Sequence, residues 1–89
     1  MLPANADPII QINPNPTADW FNIAIEWPAE ETLHLMILDQ NGRQIFGKQL
    51  HGGHLNAFEK IDASLWPSGS YTVVVAGKSQ KMVKQLIRF

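Results

Sequence analysis

The chain contains no cysteine, which excludes disulfides, thiolate nucleophiles, Cys-ligated zinc and iron–sulfur clusters, and leaves the redox compartment open. It has no apolar run near the roughly 18 residues that a membrane-spanning helix needs, and its N-terminus lacks the basic start and apolar stretch of a secretory signal peptide. Membrane insertion is therefore not expected, nor an export address at that end. Surplus charge is missing too: seven Lys and Arg against eight Asp and Glu give a formal net charge of −1, with no bulk attraction for nucleic acid or anionic lipid. A Gly-x-Ser-x-Gly elbow and a Gly-rich phosphate loop are likewise absent. The sequence offers no enzymatic foothold, and neither a catalytic residue nor a cofactor is expected.

What is present is a chain of 89 residues, 45% hydrophobic and 17% charged, which is one domain's worth of sequence. Folding such a chain removes only roughly 60–65% of its unfolded surface, so its stability is expected to be modest. Six glycines and six prolines stand against four Phe, three Trp and one Tyr, a composition of tight turns between short apolar runs that favours β structure. Charge is unevenly spread. Lys78, Lys81, Lys84 and Arg88 put +4 on residues 78–89, which hold no acid, and the net −1 then leaves −5 on residues 1–77.

The pattern along the chain is a string of strands. Residues 1–8 read as a linker or the remnant of an artificial start, and residues 9–89 as the folded domain. Ile9 to Ile12 is a β-branched run, ended by Asn13-Pro14-Asn15-Pro16, where two backbone donors are missing and both asparagines are pushed to extended conformations. From Asp19 to Trp27 apolar and polar residues alternate, with Phe21, Ile23, Ile25 and Trp27 on the core face. Thr32 to Leu38 follows with Leu33, Leu35 and Ile37 on one side. Asn41-Gly42 then predicts a type I′ hairpin turn into Arg43 to Leu50. A loop His51-Gly-Gly-His54 leads to a weakly alternating strand over 55–62, Leu65 to Gly69 turns, and Ser70 to Ala76 and Lys81 to Phe89 are the last strands. About seven short strands with no 3.6-residue periodicity predict an all-β, immunoglobulin-like antiparallel β-sandwich.

Several residue groups could carry chemistry. His51 and His54, with His34, have a spacing that could bring imidazoles to a metal, but the Gly-Gly between them cannot preorganise ligands, and no metal is expected. The adjacent acids Glu30 and Glu31 read as surface charge rather than an acid–base pair. Trp27 reads as core, while Trp20 and Trp66 could equally be core or an aromatic platform for sugar or peptide. Asp39 reads as an Asx cap on the turn rather than a calcium ligand. Gly69-Ser70-Tyr71 after Leu65 and Pro67 looks like a tyrosine corner. Lys81, Lys84 and Arg88 serve either to keep an edge strand from aggregating or for recognition.

Four motifs occur in order: Pro14-Asn15-Pro16; Asp39 to Ile45 around Gly42; Ile61-Asp62-Ala63-Ser64-Leu65 to Gly69-Ser70-Tyr71; and Lys84-Gln85-Leu86-Ile87. Together, over residues 12 to 89, they resemble the type IX secretion system type A C-terminal sorting domain, also called the Por secretion system C-terminal sorting domain. The resemblance implies a non-catalytic address carried behind N-terminal cargo domains. It implies export of the cargo across the inner membrane through a separate signal, with transit through the periplasm and recognition by an outer-membrane type IX translocon. A sortase-like surface peptidase would then remove the domain and leave the cargo at the outer-membrane surface or outside the cell. Pro14, Asn15 and Pro16 match the first motif; Asp39 and Gly42 match the hairpin; Asp62, Leu65, Gly69 and Tyr71 match the last turn. Lys84, Leu86 and Ile87 match the terminal motif and, with Lys81 and Arg88 on the same strand, form the expected translocon-recognition set. Asn13 and Phe89 depart from the family's usual residue types at their positions.

The physical logic runs the same way. A basic, β-competent last strand at an accessible edge could pair with a partner strand while its cations engage acidic groups. The alternative is an immunoglobulin-like or fibronectin-like accessory binding module for carbohydrate or protein, built on exposed Trp20 or Trp66.

Overall fold

The structure, a computed structural model, describes residues 7–28, 30–50, 55–78 and 80–89, without the side chains of residues 55 and 56. The His51/His54 pair and the first six residues of the expected linker lie outside these. The described residues form seven strands: β1 (Ile9–Asn13), β2 (Trp20–Trp27), β3 (Leu33–Leu38), β4 (Gln44–Leu50), β5 (Leu55–Asp62), β6 (Gly69–Ala76) and β7 (Lys81–Arg88). All neighbours are antiparallel, in a three-stranded sheet β1-β2-β5 and a four-stranded sheet β4-β3-β6-β7. In immunoglobulin lettering this is A-B-E against C′-C-F-G, the expected β-sandwich.

The central strands follow the alternation of the sequence. Phe21, Ile23, Ile25 and Trp27 of β2 are buried against Leu33, Leu35 and Ile37 of β3 and Tyr71, Val73 and Val75 of β6, with Ile10, Ile61 and Leu86 closing the core. Fully burying a side chain of this size contributes about 1.5–3 kcal/mol. The unbroken run Val73-Val74-Val75 has a simple cause. On the outer face of the sheet Val74 lies in register between Met36 of β3 and Val83 of β7, and these neighbours leave it only 8% exposed. β4 and β5 lie at sheet edges, and β4 buries none of its residues fully, so its alternation is weak.

The β3–β4 hairpin corrects the expected turn. Gly42 has a φ of 82°, but Asn41 does not have positive φ, so the type I′ turn, which needs both, does not form. Instead the Gly42 N–H donates to Asp39 O at 3.0 Å and the Asp39 N–H to Arg43 O at 2.9 Å. This is the three-residue loop, a turn over 39–42 with a left-handed glycine as its bulge. Asp39 selects it as an Asx cap: its Oδ1 accepts the Asn41 and Arg43 N–H groups, both at 2.9 Å, so the chain bends one residue earlier than Asn-Gly alone implies.

Glu31 is the second correction. It is not simple surface charge. Its carboxylate accepts the Trp27 indole N–H at 2.9 Å and the backbone N–H of Lys78, tying the β2–β3 connection to the β6–β7 turn. Burial of the Trp27 indole requires such an acceptor.

The β5–β6 connection contains the expected tyrosine corner. The Tyr71 hydroxyl donates to Pro67 O at 2.5 Å, and the Trp66 ring packs against Tyr71 at a centroid distance of 5.0 Å and edge-on to Phe21 at 5.7 Å. Gly69 enters β6 with φ of 150°, a conformation that favours glycine, and a Cβ there would press on the Gln40 side chain, 3.2 Å from its amide nitrogen.

Candidate functional site

β7 lies at the edge of its sheet, and among the described strands its one neighbour is β6. Its even-numbered side chains face the opposite sheet: Leu86 is fully buried and Met82 packs on the core. Its odd-numbered residues Lys81, Val83, Gln85 and Ile87 are exposed on the outer face. The expected recognition residues therefore divide. Leu86 is a core residue, Lys81 and Ile87 point to solvent, and Lys84 has core-facing parity yet is exposed because it stands at the rim of the sandwich.

Arg88 is held by the chain itself. Its Nε donates to Ala63 O at 2.8 Å, its Nη2 to Ser64 O at 3.2 Å and its Nη1 to Phe89 O at 2.5 Å. The guanidinium thus latches the end of β7 to the β5–β6 turn, since a planar five-donor group satisfies several carbonyls at once.

The outward backbone groups of β7 reveal what the first motif does. Asn15 Nδ2 donates to Gln85 O at 2.8 Å and Asn15 Oδ1 accepts the Ile87 N–H at 3.0 Å. Two residues on, the Thr17 N–H donates to Ile87 O at 2.8 Å and Thr17 O accepts the Phe89 N–H at 2.9 Å, a parallel bridge opposite Arg88. The Asn15 carboxamide occupies the place of a peptide group one repeat earlier in the same ladder. Prolines cannot donate to a sheet, and between Pro14 and Pro16, each preceded by a cis peptide bond, a side-chain amide supplies both a donor and an acceptor to the ladder. Thr17 is fully buried and its hydroxyl donates to Trp20 O at 2.6 Å. The first and last motifs are one physical unit: a surrogate strand covering β7 from residue 85 onward.

Sequence reasoning missed Thr17, Gln85 and Ala63 as parts of this unit. Only the position of Thr17 directly after the proline pair could have pointed to it.

The two open sides of the sandwich differ. Where β4 meets β5, the core-facing charges Lys48 and Glu59 form an ion pair at 3.0 Å. Where β7 faces β1, Lys84 borders an open groove of about 350 Å³ shared with Ile10, Ile12, Asn13, Asn15 and Gln85. Neither Lys84 nor Lys81 belongs to an ion pair among the described residues.

The remaining motif residues are turn architecture. The Arg43 N–H, then the Asn41 N–H and the Arg43 guanidinium, hold the Asp39 carboxyl below its ordinary value. The Ser64 hydroxyl and the Ser64 N–H, the latter at 2.9 Å, do the same for Asp62. Leu65 is 95% exposed, and no contact among the described residues explains it. The aromatic platform has little geometry behind it: Trp66 is packed between Phe21 and Tyr71, and Trp20, 44% exposed, carries the Lys60 ammonium 4.8 Å over its ring. His34 is exposed on β3.

Among curated proteins, no sequence matches the chain. A family model described as "Secretion system C-terminal sorting domain" matches residues 11–88. That span runs from β1 through the surrogate strand to the Arg88 latch, and the chain belongs to the family of type IX secretion C-terminal sorting domains.

Proposed function

We propose that this domain is the address of an exported cargo protein, read in the periplasm by the outer-membrane translocon through β7. A sortase-like surface peptidase then removes it, leaving the cargo at the outer-membrane surface or in the medium. The single observation that carries this reading is that the strand bearing the terminal motif is an ordered edge with Lys81, Lys84 and Ile87 exposed. An edge strand offers main-chain groups for pairing and side chains for selection without any pocket.

Within this reading, Lys81, Lys84 and Ile87 contact the translocon, whereas Leu86 and Arg88 keep β7 in place. The domain acts as a binding surface and catalyses nothing. Deleting residues 81–89 from an exported cargo is expected to leave that cargo in the periplasm. Undiminished surface display of the deletion variant would overturn the reading.

A further inference from the structure

β7 carries two kinds of edge. From residue 85 onward the surrogate strand of Asn15 and Thr17 takes Gln85 O, Ile87 N–H, Ile87 O and Phe89 N–H. Because N–H and C=O of one residue point the same way and alternate along a strand, Lys81 and Val83 present theirs to the same side. The Gly77 N–H bond to Gln80 O at 2.9 Å confirms this phase, since even-numbered residues pair with β6. No backbone partner covers Lys81 or Val83 among the described residues. The ladder that the first motif begins therefore stops half-way along the edge, next to the groove holding Lys84.

We infer that this open half of β7 accepts one extended, acid-bearing protein strand, which continues the Asn15–Thr17 ladder over Lys81 and Val83 and seats a carboxylate on Lys84. The inference rests on the address reading and specifies the partner's chemistry. Charge complementarity supports it: residues 78–89 carry four cations and no acid. The far side of the same sandwich supplies a template, for there the core-facing Lys48 meets its carboxylate, Glu59, from the facing strand at 3.0 Å. Lys84 is the same kind of inward-pointing edge cation with its counterpart missing from β1, where Ile10 and Ile12 stand. An unpaired edge with an inward charge resists casual aggregation yet admits a strand of matching charge.

The test uses the whole chain behind a fluorescent reporter with its own inner-membrane export signal, in a bacterium with a type IX system. Val83→Pro removes an outward N–H together with the valine side chain and leaves the β6 hydrogen bonds intact, because proline is tolerated on an edge when its nitrogen faces solvent. Val83→Ala keeps that N–H. Val83→Pro and Lys84→Glu are each expected to lower surface reporter on the order of tenfold, as loss of a strand hydrogen bond or a paired charge would, while Val83→Ala matches the parent. Amide exchange across β6 and β7 reports the fold; should Val83→Pro disturb it, Lys81→Pro at the first strand position, compared with Lys81→Gln, decides instead. Proline variants exported like their controls overturn the inference. A defect in Lys84→Glu alone also overturns it, in favour of simple anion binding such as lipopolysaccharide phosphate. Deletion of residues 81–89 separates the two readings: if the deletion blocks export and Val83→Pro does not, only the strand inference falls, and if the deletion is exported the address reading falls with it.

Discussion

Asn15 and Ile87 lie 72 positions apart, and the side-chain oxygen of the first accepts the backbone N–H of the second at 3.0 Å. This contact makes a Pro-Asn-Pro segment near the start of the domain part of the strand near its end. Asn15→Ala removes both bonds of the carboxamide but leaves Thr17 in place. Faster exchange is expected at the Ile87 amide, by about tenfold for a bond of about 1.4 kcal/mol, with the Phe89 amide much less affected. Asn15→Asp should be worse than alanine, because it turns the donor facing Gln85 O into a second acceptor. Equal protection of Ile87 in all three proteins, measured by NMR-detected exchange, would count against the surrogate strand.

Tyr71→Phe isolates the tyrosine corner. The aromatic ring packs against Trp66 in either case, so the loss is the hydrogen bond to Pro67 O, about 1–2 kcal/mol. For a domain of this size each kcal/mol corresponds to roughly 4–8 °C in Tm. Thermal unfolding followed by near-ultraviolet circular dichroism should show a drop in that range; an unchanged Tm would mean the carbonyl is satisfied equally well by water.

Two neighbours on β7 should respond differently to truncation. Leu86→Ala opens a void in the core and is expected to cost about 2–5 kcal/mol, a large share of the stability of so short a chain. Ile87→Ala, on the outer face, should cost less than about 1 kcal/mol. Chemical denaturation measures both. Any export defect of Leu86→Ala would then be attributed to unfolding, and any defect of Ile87→Ala to lost recognition.

Acid should weaken the fold through Asp39 and Asp62. Both carboxyls are depressed in the folded state by hydrogen bonds from Arg43 and Ser64 respectively. The unfolded chain therefore binds protons at a higher pH than the folded one, and stability rises with pH across the interval between the two values. The contribution is complete above the unfolded value near 3.8 and is lost as pH falls through the lower folded values. In the Asp39→Asn, Asp62→Asn double variant the decline in denaturation midpoint below about pH 4 should be shallower than in the parent. An identical decline would place the acid sensitivity elsewhere.

The legibility of the sequence varied with the physics behind each element. The central strands β2 and β3 were readable because their core faces alternate strictly, as Phe21, Ile23, Ile25 and Trp27 show. The tyrosine corner was readable because turn, glycine and tyrosine are local. The hairpin type was not, since Asn41-Gly42 has the dipeptide of one turn while the Asp39 side chain favours another. Glu31 could not be read, because the Lys78 N–H that it accepts comes from the far end of the chain. The same holds for the site: the lysines and the edge strand were visible as a basic, β-competent segment. The division of that edge into a covered and an open half depends on Asn15 and Thr17, whose ladder bonds span about seventy residues and leave no periodic trace.

The central claim is that these residues suffice as an export address. Its most direct measurement is to attach residues 1–89 to an unrelated periplasmic reporter in a type IX-competent bacterium and determine the reporter's location by protease accessibility on intact cells. The account predicts that the reporter becomes surface-exposed or released, and stays periplasmic when the translocon is deleted. A reporter that remains periplasmic with a correctly folded domain attached would contradict it.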